Sequence, residues 1–185
     1  MKNSGNFYCY GKWWAKKSEL DVILNALNAN TPEIVSVLEK QGDLYCIYVG
    51  IAVKESLLKR LDWHINDEHS EPKVKNGTLS TLRQSISSIV AHNQYNKKAT
   101  DEFIDKLYVE WFESKNAVKS EAAKEEIESI EKSLINGRCL RPLNIKDNHH
   151  PEACETAKSL KKIKKREQIA FLKSPILSLT KTHLV

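Results

Sequence analysis

Tyr48-Val49-Gly50, Arg60, His64 and Glu131 are residues whose types and spacing suit work on a phosphate ester. Arg60 and His64 stand four positions apart, so on a helix both project from one side, clear of a Leu57/Leu61/Ile65 stripe. A guanidinium offers phosphate oxygens a fixed fork of donors, and an imidazole moves protons near neutral pH. A tyrosine beside them adds a hydroxyl, and a strand-end glycine lets another backbone approach closely. Glu131 sits at the edge of an apolar stripe, where a carboxylate can hold a hard divalent cation completed by phosphate oxygens and water. Each has an ordinary alternative: a structural strand end, a solvated basic face, a surface carboxylate.

The hydrophobic pattern predicts the elements that must bring these groups together. Leu20, Ile23, Leu24 and Leu27 fall at helical spacing behind Ser18, which reads as an N-cap. Glu33–Leu38 is rich in β-branched residues, Lys40-Gln41-Gly42-Asp43 is turn chemistry, and Leu44–Ala52 is a second apolar run, so the pattern predicts a hairpin. A helix is expected over Glu55–Ile65 with Leu57, Leu58, Leu61 and Ile65 inward, a loop over Asn66–Thr78, and a helix over Ser80–His92 burying Leu82, Ile86, Ile89 and Val90. Lys106–Phe112 alternates as a third strand. Ser120–Ile135 is the most periodic helix, with Ala123, Ile127, Ile130 and Leu134 on one face, and Glu152–Gln168 reads as a basic helix. The expected fold is α/β (α+β): a small mixed or antiparallel three-stranded sheet with an N-terminal hairpin, flanked by helices. The organisation expected is an aromatic arm and helix over 1–30, a core over 31–151 and a basic helix and tail over 152–185, as one compact domain.

The 185 residues, 41% hydrophobic and 29% charged, suffice for one domain with its own core and are too apolar for wholesale disorder. No apolar run approaches bilayer length and no signal-type segment follows Met1, which points to a cytoplasmic protein without membrane contact. Cys9, Cys46, Cys139 and Cys154 are scattered and lack zinc-ligand spacing, so they read as free thiols. Residues 1–135 carry 18 Lys+Arg against 20 Asp+Glu, whereas residues 136–185 carry 11 against 4. The excess positive charge is therefore C-terminal, and a polyanionic partner should touch that part.

In order and spacing these features resemble the GIY-YIG nuclease superfamily, over about Thr31 to Gln168. The resemblance is carried by the hairpin, Tyr48-Val49-Gly50, a helix with Leu57-x-x-Arg60-x-x-x-His64, a later helix with Glu131-x-x-Leu134-Ile135, and Pro142-Leu143-Asn144. Ser80-Thr81-Leu82-Arg83-Gln84-Ser85 is similar to the S-x-L-R-x-S helix start of some bacterial stand-alone members, and Pro142–Pro151 to their tail. The resemblance implies a DNA endonuclease dependent on Mg²⁺ or Mn²⁺. By position it gives Tyr48, Arg60, His64 and Asn144 catalytic roles and makes Glu131 the metal ligand. Arg60 would hold a non-bridging oxygen, and Tyr48, or His64 acting through it, would take the proton of the attacking water. Arg83 and the basic stretch Lys161, Lys162, Lys164, Lys165 and Arg166 would contact DNA.

The family's first half-motif, Gly-Ile-Tyr, should lie on the first hairpin strand, where this chain reads Glu33-Ile34-Val35. Tyr45, three residues from Tyr48, should face the other way; Tyr8 or Tyr10 would supply the hydroxyl if the N-terminal arm folds over the site. Three readings follow. The chain is a metal-dependent nuclease, a homodimer if it cuts both strands together; or a member of the fold that binds DNA or a protein without cutting; or an unrelated basic α/β domain.

Overall fold

The computed structural model describes residues 7–90, 95–115, 119–144, 153 and 158–165. Its elements are β1 (Cys9–Lys16), α1 (Lys17–Ala26), α2 (Pro32–Ser36), β2 (Lys40–Gln41), β3 (Leu44–Ala52), α3 (Leu57–Asn66), α4 (Glu71–Lys75), α5 (Thr81–Val90), α6 (Lys97–Ile104), β4 (Tyr108–Glu113) and α7 (Glu121–Ile135), and residues 158–165 are helical. The sheet has four antiparallel strands in the order β2-β3-β1-β4, not three.

Two predicted elements change character. Glu33–Leu38 is not a strand: Pro32 opens α2, and the Thr31 hydroxyl accepts the Ile34 N–H at 3.3 Å. A capped, proline-led first turn satisfies backbone donors that a strand would leave open, and it overrides the β-branched composition. The aromatic N-terminal segment, whose composition suits a strand or an arm, supplies β1, an interior strand paired with both β3 and β4. The true partner of β3 is therefore β1, with α1 and α2 inserted between them in sequence. Sequence periodicity also leaves out α4 and α6, which are short.

Each face of the sheet has its own core. On one, Trp13, Ala15, Tyr45, Ile47 and Tyr48 pack with Leu20, Ile23 and Leu24 of α1 and Leu82, Ile86 and Ile89 of α5. On the other, Trp14, Cys46 and Val49 pack with Ile135 and Leu134 of α7. The alternation in β3 breaks once, at the register shift opposite Trp13/Trp14, so that Ile47 and Tyr48 face the same side. This β-bulge places Tyr45 and Tyr48 on one face, contrary to simple strand periodicity.

The edge of β3 beyond the two-residue β2 is closed by side chains and loops rather than by another strand. The Cys46 N–H donates to Glu39 O at 2.9 Å and the Leu143 N–H to Ile47 O at 3.1 Å. Asn144 completes the row: its Oδ1 accepts the Val49 N–H and its Nδ2 donates to Val49 O, both at 2.8 Å. An amide offering one donor and one acceptor stands in for a neighbouring strand, so a buried edge is left satisfied.

Candidate active site

Tyr48 lies on β3 two residues before Gly50, and its ring folds over that glycine. A Cβ at Gly50 would sit 3.0 Å from the Tyr48 Cε1 and 3.4 Å from its hydroxyl oxygen, so a side chain there would press on the tyrosine ring. Burial pushes the Tyr48 hydroxyl up to about 12, Arg60 pulls the other way, and Glu131 adds to the rise. The charges of Arg60 on α3 and Glu131 on α7 thus both reach the Tyr48 hydroxyl on β3. Thr81, at the start of α5, is a hydrogen-bonding neighbour of the same hydroxyl.

Arg60 emerges from the first half of α3, which Ser56 caps by accepting the Lys59 N–H at 3.3 Å. Its guanidinium lies 4.7 Å from the Trp63 ring centroid and donates from Nη1 to Glu55 at 3.2 Å, while its Nε has no hydrogen-bond partner among the described residues. Arg60 lines a cavity of about 350 Å³ together with Lys54, Glu55, Trp63 and Glu128. A guanidinium that lines a cavity is placed to meet an anion entering it.

His64 does not share that open face. It is fully buried, edge-on to Trp13 at 5.5 Å and to Tyr48 at 6.0 Å between ring centroids. Burial, and then the charges of Arg60 and Arg83, lower it to about 3, so it is neutral at physiological pH. Neither of its nitrogens has a hydrogen-bond partner among the described residues. Its ring packs edge-on against the tyrosine, and no hydrogen bond joins the two. Leu58, expected inward, is 63% exposed.

Arg83 is also misplaced by sequence reasoning. It is fully buried, and its Nε donates to His69 at 2.8 Å, its Nη1 to the carbonyls of His64, at 3.2 Å, and Ile65, and its Nη2 to Asp101. With its fork spent inside the protein, it ties α3 to α5 and α6 and cannot reach DNA. Asn144, 7% exposed, spends its amide on Val49 and so positions the strand that carries Tyr48.

Of the basic stretch, Lys161, Lys162 and Lys165 are exposed, Lys164 is half-buried with its ammonium lowered by burial to about 8, and Arg166 lies outside the described residues. The apolar seam behaves as expected: Leu160 is buried in the main core and Ile163 packs against it. Cys9, Cys46 and Cys139 are free thiols, while Cys154, His149 and His150 lie outside the described residues.

The residue that sequence reasoning missed is Trp13. It stands directly opposite Tyr48 in the β1–β3 ladder, so the two side chains share a face. Gly11-Lys12-Trp13 thus occupies the place where a Gly-Ile-Tyr strand was sought at Glu33–Val35, with an indole where a phenol was expected. The signal was the aromatic density of Phe7–Trp14 and a glycine two residues before Trp13. The candidate substitutes do not fill the gap. Tyr10 stacks on Phe112 at 4.8 Å and is influenced by Lys12 and Glu39 rather than by the Tyr48 cluster. Tyr8 lies under Lys119, and Tyr45 under Lys40.

Among the described residues no group of three or more His, Cys, Asp or Glu side chains is arranged to hold a metal, and no helix is long and apolar enough to cross a membrane. Neither the curated proteins nor the solved structures yield a match. A family model does: that of the GIY-YIG catalytic domain, over residues 8–166.

Proposed function

The chain belongs to the GIY-YIG catalytic domain family, and from that premise we propose that it is a divalent-metal-dependent endonuclease that hydrolyses DNA phosphodiester bonds. The observation that carries the proposal is that the charges of Arg60 and Glu131 both act on the Tyr48 hydroxyl, with Arg60 and Glu128 lining one cavity.

The donor set fits a hard cation whose shell is completed by substrate. Such ions take one or two carboxylates plus phosphate oxygens and waters, and α7 offers Glu131, with Glu128 three residues earlier lining the Arg60 cavity. When bound, the ion would neutralise charge on the phosphate and its leaving oxygen. The remaining tasks belong to this chain's own residues. Arg60 binds a non-bridging oxygen and stabilises the charge that builds there. Tyr48 orients the attacking water and accepts its proton. With its hydroxyl near 12 and about one phenol in ten thousand ionised at pH 8, the cleavage rate should climb close to tenfold per pH unit between pH 7 and 9 and lose that slope in Tyr48→Phe. A flat wild-type profile would take the base role away from Tyr48.

The exposed Lys161, Lys162 and Lys165 supply phosphate contacts that set affinity without reading sequence. A single site of this kind cuts one strand per visit, so double-strand cleavage is the work of two copies or successive visits.

Trp13 favours a second reading, a fold member that binds DNA without cutting it, because the hydroxyl expected opposite Tyr48 is replaced by an indole. Plasmid nicking in Mg²⁺ or Mn²⁺ separates the two. Nicking by the wild type, lost in Arg60→Ala and in Glu131→Ala, supports the nuclease; retained DNA binding with no nicking supports the second reading.

A further inference from the structure

Trp63 is the largest side chain on α3, yet it belongs to neither core of the molecule. It is half-buried, it lines the same cavity as Arg60, and its ring meets two neighbours on its own helix. Arg60, three residues earlier, sets its guanidinium carbon 4.7 Å from the indole centroid. His64, the next residue, stacks on the indole, with ring centroids 6.3 Å apart and planes 19° from parallel. Residues three apart on a helix are surface neighbours, and helical side chains lean toward the N-terminus, so a ring at 63 covers the side chain at 60.

The two contacts differ in kind. His64 is fully buried and packs edge-on to Trp13 and Tyr48, so it gives the indole a rigid backing. Arg60 is held from two directions: the indole takes the face of the guanidinium, and Glu55 accepts from Nη1 at 3.2 Å. The donors of a guanidinium point outward in its plane, so a ring against its face consumes none of them. A flexible cation gives up rotamer freedom when it binds a ligand, whereas one already fixed in place does not. Fixing matters most in the transition state, where a misplaced charge stabilises little. A tryptophan that only filled space would lie in a core; this one links a buried imidazole to the cation proposed to hold the phosphate.

We propose that Trp63 is a positioning residue for Arg60: backed by His64 and helped by Glu55, its indole fixes the guanidinium on the cavity wall in the orientation that the phosphate meets. The identity of the anion rests on the nuclease reading; the placement of Arg60 does not.

Two measurements on the full chain test this role. The first is plasmid nicking in Mg²⁺ by Trp63→Leu, Trp63→Phe, Arg60→Ala and the Trp63→Leu/Arg60→Ala double variant. Trp63→Leu should slow nicking about five- to thirtyfold, the worth of a desolvated cation–π contact. Trp63→Phe, which keeps an aromatic face, should recover most of the rate. In the Arg60→Ala background Trp63→Leu should cost nothing more, because a residue that acts through another has no effect once the other is gone. An equal loss in both backgrounds would make Trp63 a structural residue and overturn the proposal, as would wild-type nicking by Trp63→Leu. The second measurement is the NMR signals of the Arg60 side chain, assigned by their absence from Arg60→Ala. The indole ring current should hold them upfield in the wild type and in Trp63→Phe should still do so in part, while Trp63→Leu should return them to ordinary arginine positions. Ordinary positions in the wild type, or signals that ignore Trp63→Leu, overturn the proposal whether or not the protein cuts DNA. If the wild type does not nick, the nuclease reading falls and the ring-current shift alone decides whether Trp63 places Arg60.

Discussion

Arg60 and Arg83 present one chemical group in two opposite settings. Arg60 holds Glu55 with one nitrogen, leaves its Nε without a partner among the described residues, and lines a cavity. Arg83 is fully buried and spends its fork on His69, on the carbonyls ending α3 and on Asp101. Both charges bear on His64 between them. The difference teaches where to look for chemistry: a guanidinium that lines a cavity is placed to meet a ligand, whereas one saturated inside the protein is part of the frame.

The largest effect that sharpens this contrast is on stability. Arg83→Met strips their buried donor from His69 and from two backbone carbonyls and leaves the Asp101 carboxylate with Lys97, and should destabilise the fold by about 3–5 kcal/mol, seen as a lower urea midpoint. The contrast breaks if Arg83→Met unfolds at the wild-type midpoint. Next comes Arg60→Ala, with the opposite signature. Cleavage should fall about 10²–10³-fold, the loss seen when a single charge-stabilising donor is removed, while unfolding shifts by no more than about 1 kcal/mol because the Arg60–Glu55 pair is partly exposed. An Arg60→Ala protein that cuts normally would move the phosphate contact elsewhere.

Asn144→Leu is intermediate. It strips partners from the Val49 N–H and C=O, which should cost about 1–3 kcal/mol, and it frees the strand carrying Tyr48, so stability and cleavage should fall together. Loss of stability alone would show that the Asn144 clamp serves only the fold. The smallest effect is that of acid on His64. Its folded value, about 3, lies below the ordinary 6.5, so between those values the unfolded chain binds a proton that the folded chain does not. The stability held by neutral His64 is complete above about pH 6.5 and drains as pH falls, by about tenfold in the unfolding constant per unit. Comparing wild type with His64→Leu from pH 7 to 5.5 isolates this contribution. Parallel curves would mean that the imidazole finds a proton acceptor on acidification.

Much of this site was legible in the chain itself. The 3.6-residue spacing of Leu20, Ile23, Leu24 and Leu27, and of Leu82, Ile86 and Ile89, marked helices whose stripes are indeed buried. The order Tyr48-Val49-Gly50, Arg60, Glu131 was enough to nominate a phosphate site. What misled was local composition read without its competitors. Ile34, Val35 and Val37 favour a strand, but Thr31 and Pro32 start a helix there. The partner of the Tyr48 strand was consequently sought at the wrong place, and Trp13 was overlooked.

Periodicity and residue chemistry act over a few positions, so the sequence by itself determined the longer amphipathic helices α1, α3, α5 and α7, the C-terminal charge excess and the types of group available for catalysis. Tertiary structure decided which strand lies against β3, that a bulge turns Ile47 and Tyr48 to one side, and that His64 and Arg83 lie inside while Arg60 faces a cavity. These depend on contacts between residues far apart in the chain, such as Asn144 with Val49 across 95 positions, and whether a polar side chain meets water or protein is settled only when such contacts close.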